Sequence, residues 1–251
     1  MTLGELRSEL RNNILRDYSE LAEGSDDDRL WSDPTLNRYI NEAQRRFARK
    51  SLILRTAADE FGLIRCVAGT STYTLDPLVI AVISCKQGAD QMDLSRAGHS
   101  IFNQYVAPDP LFFNPSTLSA LPPGKPLAFS TDEEVVQEQT DAIEQIQLKI
   151  YPVPAAPYTD DFHLRVVRLP KALVADDDGC ELPEDHQIEM LDWAAYLALR
   201  LVDRDGEDMQ RAAERHAAFE NAVKDARNMV MRKMFTPQPW GFGRSGFSWE
   251  R

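Results

Sequence analysis

No apolar run in the chain approaches the roughly 18 residues that a membrane-spanning helix needs. The first residues, Met1-Thr2-Leu3-Gly4-Glu5-Leu6-Arg7, carry an acid and no apolar stretch, and so read as a helix start and not a signal peptide. Cysteine is scarce. Cys66, Cys85 and Cys180 are odd in number and widely spaced, which fits thiols in a reducing cytoplasm better than a disulfide frame or a zinc site. The four histidines, His99, His163, His186 and His216, lie far apart, and none pairs with another at the i, i+4 spacing of helical metal ligands. Positive charge is in deficit, with 28 Lys+Arg against 40 Asp+Glu, a net charge of −12. That balance argues against a general nucleic-acid binder and against attraction to anionic membranes.

The familiar chemical motifs are also missing: there is no P-loop, HExxH, GxSxG or CxxC. Asp176-Asp177-Asp178-Gly179 has the look of a calcium loop. Aligned on Gly179, however, it puts Val174 at the first ligand position and Asp185 at the last, where Glu is needed, so a solvated turn is expected. Gly98-His99-Ser100 lacks the strand–turn–helix context of a nucleophile elbow. His216 falls on a helical apolar stripe and reads as a core or interface histidine. No pair of carboxylates is marked out as acid and base, so the sequence recruits no enzyme, no metal and no cofactor.

What is present is a folded protein's composition, 43% hydrophobic and 27% charged over 251 residues. Thr2 and Glu5 have capping-box spacing, and Leu3, Leu6, Leu10, Ile14 and Leu21 recur at helical period after them. Residues 23–29 break that pattern. Asp33-Pro34 reads as N-cap and first helical residue of a second helix, with Leu36, Tyr39, Ile40, Ala43 and Phe47 inward and Arg38, Glu42, Arg45, Arg46 and Arg49 outward. From about Phe61 short β-rich segments take over: Phe61–Val67, Thr72–Leu75, Val79–Lys86, Met92–Leu94, Leu127–Ser130, Glu144–Tyr151 and Phe162–Leu169. A proline-crowded loop, residues 106–126, interrupts them. After Pro183 helix returns. Ile188, Leu191, Ala195, Ala198 and Val202 line one face, widened by Trp193, Tyr196 and Leu197, and Gly206 suits the stop. A last helix follows from near Glu207 to Met234, with Met209, Ala212, Ala213, His216, Phe219, Val223, Ala226 and Val230 as its stripe.

The fold expected is α+β. N- and C-terminal helices (1–58 plus 183–234) form one α-helical bundle, an antiparallel β-sandwich or barrel-like module (59–182) is inserted, and an extended C-terminal arm (235–251) follows. The arm is the most suggestive segment. Phe235, Trp240, Phe242, Phe247 and Trp249 stand between prolines and glycines, and each large apolar side chain costs about 1.5–3 kcal/mol when left in water. Residues 227–251 also hold Arg227, Arg232, Lys233, Arg244 and Arg251 against Glu250 alone, a basic end on an acidic chain that suits docking onto an acidic protein.

Several runs together resemble the head–tail adaptor (connector) proteins of tailed bacteriophages. Trp31-Ser32-Asp33-Pro34 leading to Asn41-Glu42-Ala43-Gln44-Arg45 is similar to their opening helix. Gly69–Leu75 resembles the small turn and strand that follow, and Val167-Arg168-Leu169-Pro170 the strand end before the last helices. Leu182–Ile188, Leu191–Leu199 and His216-x-x-x-Phe219 resemble the closing hairpin.

The resemblance implies a non-enzymatic virion protein at the neck, made in the bacterial cytoplasm, with no catalytic residues to transfer. It implies dodecameric self-assembly into a ring on the portal protein, a platform for the tail or nozzle protein, and DNA passing through the lumen without specific binding. The arm residues Phe235, Trp240, Phe242, Arg244, Phe247, Trp249 and Arg251 would dock on the portal. Trp31, Tyr39, Phe47, Trp193, Tyr196 and Phe219 would serve the bundle and its interfaces. Glu20, Glu23, Asp26, Asp27 and Asp28 are the acidic candidates for a lumen that repels phosphate. The alternatives are a tail terminator or minor tail protein, or a glycan hydrolase using a carboxylate pair.

Overall fold

The computed structural model describes residues 1–17, 30–88, 92–96, 121–131, 145–200 and 206–234. The chain divides into two units. One is Met1–Ile53 together with the described residues from Leu173 onward, and the other is Leu54–Ala172. The class is α+β.

In the first unit, α1 (Leu3–Glu9) starts on the expected capping box: the Glu5 N–H donates to Thr2 Oγ1 (3.3 Å) and the Thr2 N–H to the Glu5 carboxylate (2.9 Å). It widens into a π-helical segment, Leu10–Leu15, which stops at Arg16 in the left-handed region. Leu3, Leu6 and Leu10 are fully buried, and Leu21 lies outside the described residues.

Helix α2 (Asp33–Ser51) buries all five inward residues expected of it. Its start differs by one residue: Ser32 is the N-cap and Asp33 the first helical residue. Asp33 is free for another task because Ser32 O already accepts the Thr35 and Leu36 amides.

The C-terminal helices are α4 (Glu184–Gln187), α5 (Leu191–Leu199) and α6 (Gly206–Met234). Gly206 opens the last helix instead of stopping the one before it, and Val202 lies outside the described residues. Ile188 is 53% exposed because the chain turns between α4 and α5, so the stripe begins only at Leu191. Met209 and Ala213 are also exposed, while Ala212, Phe219, Val223, Ala226 and Val230 are buried. Helix α2 packs on α1, α5 and α6, and α5 packs on α6. Phe47 meets Phe219 edge-on, with centroids 5.9 Å apart, and the buried His186 ring at 5.4 Å.

The second unit holds two sheets. One runs β1 (Arg55–Thr56), β9 (Phe162–Arg168), β4 (Val79–Gln87), β5 (Met92–Asp93), with β2 (Leu63–Ile64) also on β9. The other runs β3 (Thr72–Thr74), β8 (Gln147–Tyr151), β7 (Ala128–Thr131), β6 (Ser95–Arg96). One hydrophobic cluster joins Val79, Val82, Cys85, Phe162, Leu164 and Val166 of the first sheet to Phe129, Leu148 and Ile150 of the second.

Two expectations need correction. Strands β6 and β7 pair in parallel, so the second sheet is mixed, and neither sheet closes into a barrel among the described residues. Phe61 lies in a short helix, α3 (Asp59–Gly62), where it packs on the cluster. Along β4 the buried residues Val79, Val82 and Cys85 recur at every third position. Register shifts at Val79/Ala81 and Val82/Ser84 each slip the strand, so Val79, Val82 and Cys85 share the inner face.

Replacing Phe219 with Ala removes a fully buried ring from the helical unit. An equilibrium denaturant titration should show a loss of about 3–5 kcal/mol. In the β unit a Cβ on Gly62 would lie 2.5 Å from the Leu164 carbonyl oxygen, a backbone atom of the central strand β9. Gly62→Ala is expected to cost about 1–3 kcal/mol by displacing α3, seen as a lowered denaturation midpoint with an unchanged slope.

Candidate interaction surface

The two halves of the helical unit are far apart in sequence, and polar side chains tie them together. Asn41 on α2 treats Leu173 like a neighbouring strand: its Oδ1 accepts the Leu173 N–H (2.8 Å) and its Nδ2 donates to the Leu173 carbonyl (2.9 Å). The residues beyond form a strap over the start of α1, where the Leu3 and Gly4 amides donate to the Asp178 and Asp176 carbonyls (2.9 and 3.0 Å). Arg7 grips Asp176 with both terminal nitrogens, at 2.9 and 2.8 Å. The buried Arg11 pairs with Asp33 at 2.7 Å and donates to the Trp31 carbonyl at 2.7 Å. Asp17 accepts the Leu30 amide at 3.0 Å.

The Asp-rich turn is thereby explained without a cation. Asp178 accepts the Val174 and Ala175 amides at 2.6 and 2.8 Å, which holds its carboxyl below the ordinary 3.8. The Arg7 hydrogen bond does the same for Asp176. Asp192 goes the other way: burial raises it, against the opposing pull of Arg215 at 2.8 Å. Glu220 is lowered by its hydrogen bond from Lys50.

An aromatic junction occupies the meeting of α2, α5 and α6. Trp193 is buried beside Tyr196 (5.0 Å), Phe219 (5.2 Å) and His216 (5.7 Å). Arg46 lies 3.8 Å above the Trp193 ring, and the indole N–H reaches Glu42 at 3.4 Å. His216 is half-buried against Trp193 and Tyr196, part of a ring stack and not the core. Burial pushes the Cys85 thiol up to about 12, which makes it an inert core side chain.

Of the interface residues named from sequence, Phe47, Trp193, Tyr196 and Phe219 converge on this junction. Trp31 is buried by the Arg11–Asp17 network, and Tyr39 is buried on α2 with Arg38 5.2 Å from its ring. The arm residues Phe235, Trp240, Phe242, Arg244, Phe247, Trp249 and Arg251 lie outside the described residues, as do Glu20, Glu23 and Asp26–Asp28. Sequence reasoning missed the Arg7–Asp176 and Arg11–Asp33 pairs. The only signal was two arginines on the flank of an amphipathic helix, and nothing local names a partner 169 positions away.

Outward, α2 presents Arg38, Arg45 and Arg49, all exposed, beside a shallow groove of about 620 Å³. A second groove, of about 550 Å³, runs along α1 past Glu5 and Glu9. Among the described residues no group of three or more His, Cys, Asp or Glu could hold a metal, and no helix is long and apolar enough to cross a membrane.

The molecule is thus an α+β protein whose conspicuous side chains hold helices together and charge its outer faces. The family model for the SU10 adaptor protein matches residues 1–239, and the chain belongs to that family of phage head–tail adaptors. No curated protein matches it. As a family such adaptors work between the head and tail components of the virion.

The strap makes stability depend on acid. Asp176 and Asp178 have folded-state values below their unfolded ones, so their contribution is complete above about pH 4–5 and is lost as pH falls through the folded values. Asp178→Asn should flatten the acid limb of a plot of melting temperature against pH between roughly 2 and 5, with little change in shape above it.

Proposed function

We propose that this chain is a structural subunit of the virion neck. Copies assemble as a ring, commonly of twelve, on the portal, offer a platform to the tail or nozzle protein, and let DNA pass without gripping it. In this reading the helices of the first unit act as one bundle, the β unit is a sandwich-like insertion, and residues 235–251 are an arm that docks on the portal. The observation that carries the proposal is the adaptor-family match over residues 1–239.

Three features support it. The conspicuous side chains make packing and charge contacts. Net charge of −12 disfavours adhesion to passing phosphate. The arm concentrates five aromatics and two arginines in seventeen residues, the composition of an interface anchor. Its work is assembly, in which binding free energy comes from burying apolar arms and matching charged faces, and no covalent bond changes.

Deleting residues 235–251 is expected to leave helix content and melting temperature close to those of the full chain while abolishing co-purification with portal rings. A truncated chain that still co-purifies with portal would overturn the arm assignment.

A further inference from the structure

The outer stripe of α2 is positive, and at three positions its positive charge has no carboxylate partner among the described residues. Arg38, Arg45 and Arg49 follow one another at intervals of seven and four residues, which places them along one face over about 16 Å of helix at 1.5 Å per residue. All three are exposed, and none forms an ion pair among the described residues. The other two cations of the helix face are occupied, Arg46 by the Trp193 ring and Lys50 by Glu220. In a chain of −12, Arg45 and Arg49, with Arg38 held only by the ring of its neighbour Tyr39, are a concentration of positive charge that pairs with no carboxylate among the described residues.

Helix α1 is the opposite case. Arg7 on it and Arg11 in the π-helical segment that continues it are both consumed by Asp33 and Asp176, so the outer groove carries Glu5 and Glu9 and no lysine or arginine. The rest of that groove is Gly4, Ser8, Asn12, Asn13 and Met1, whose terminal ammonium is held by Gln187 at 2.6 Å.

We infer that the Arg38–Arg45–Arg49 face of α2 docks on the Glu5–Glu9 face of α1 of a second copy of this chain. The inference rests on the ring reading above and names the surfaces that make it. The two faces share no residue, so the contact is heterologous: each subunit offers one face forward and the other back. Such a contact closes into a ring when the rotation allows. Nucleic acid is the weaker occupant of the α2 face, because Glu42 sits within the stripe and the chain as a whole repels phosphate. A copy of the chain supplies the complementary charge at matched scale, a helix against a helix.

The test uses assembled phage particles. Arg45 is replaced by the photoreactive benzoylphenylalanine, and the irradiated particles are digested and sequenced by mass spectrometry. An adduct to residues 1–13 of another copy is expected; an adduct to DNA or to a different protein, or no adduct, overturns the inference. In parallel, Arg45→Glu and Glu9→Arg should each lower the copies per particle by about tenfold, and the double reversal should restore them to within about threefold, which a merely damaged fold would not do. Single variants that assemble normally, or a double variant no better than either single one, also overturn it. Arg45 is exposed, Glu9 is half-buried with Asn13 donating to it at 2.6 Å, and the purified variants' melting temperatures report their folding. If the unaltered chain is itself missing from particles, the neck reading fails; if it is present but unlinked, only the α1–α2 contact fails.

Discussion

Everything in the helical unit depends on closing a gap. Residues 54–172 separate α2 from the strap and from α4–α6, so the unit forms only if the ends of a long insertion are brought together. For a flexible chain of that length, closure costs on the order of 4 kcal/mol beyond a constant. The interactions that oppose this cost sit at the seam. Asn41 holds Leu173 by a two-way amide exchange, Arg7 holds Asp176, and Phe47 meets Phe219 across the buried interior. The insertion lowers the cost itself, because β1 and the end of β9 are paired, with Arg55 opposite Val167. The chain therefore enters and leaves the β unit through adjacent strands.

That closure decides which surfaces remain for other molecules. Helix α2 is surrounded on its inner side by α1, α5 and α6, and Asn41, Glu42 and Arg46 are drawn into the seam or onto Trp193. Arg38, Arg45 and Arg49 are what is left over. The same logic runs on α1, where the two arginines turn inward to Asp33 and Asp176 and leave the glutamates outside. The segregation of charge is thus a by-product of holding the fold shut: Arg7 and Arg11 turn inward and leave Glu5 and Glu9 outside, while α2 gives Asp33, Glu42, Arg46 and Lys50 to internal contacts and leaves Arg38, Arg45 and Arg49 outside.

Much of this was legible in the sequence where cause and effect lie within one element. The Thr2–Glu5 capping box, the inward stripe of α2, the alternation of β8 and β9 and the extent of the last helix follow from spacing alone. The misreadings arose where a second element decides. Asp33 looks like an N-cap, but Ser32 holds that place and the Asp33 carboxylate belongs to the arginines of α1. Strand β4 was legible as a strand, but its two register shifts against β9, which put Val79, Val82 and Cys85 on one face, were not. Ile188 continues the α5 stripe in sequence, yet the chain turns there and exposes it. The parallel pairing of β6 with β7 leaves no mark on six short residues. Of the interface set, the aromatics of α2, α5 and α6 were visible as helical stripes, whereas the salt bridges of the strap depend on partners distant in sequence.

The motif that carries the family resemblance can now be read physically. In Asn41-Glu42-Ala43-Gln44, Asn41 pins Leu173, Glu42 receives the Trp193 indole, Ala43 lets the neighbouring helix close in, and Gln44 donates to Asn41. Trp193 itself comes from the Asp-Trp-Ala run of α5. The recognisable residues are therefore those that assemble the discontinuous unit. Arg45 and Arg49 are under no such constraint among the described residues, whereas Glu5 also closes the capping box and Glu9 also accepts from Asn13. If assembly rests on them, its specificity can change by exchanging surface charges in matched pairs while the seam stays as it is.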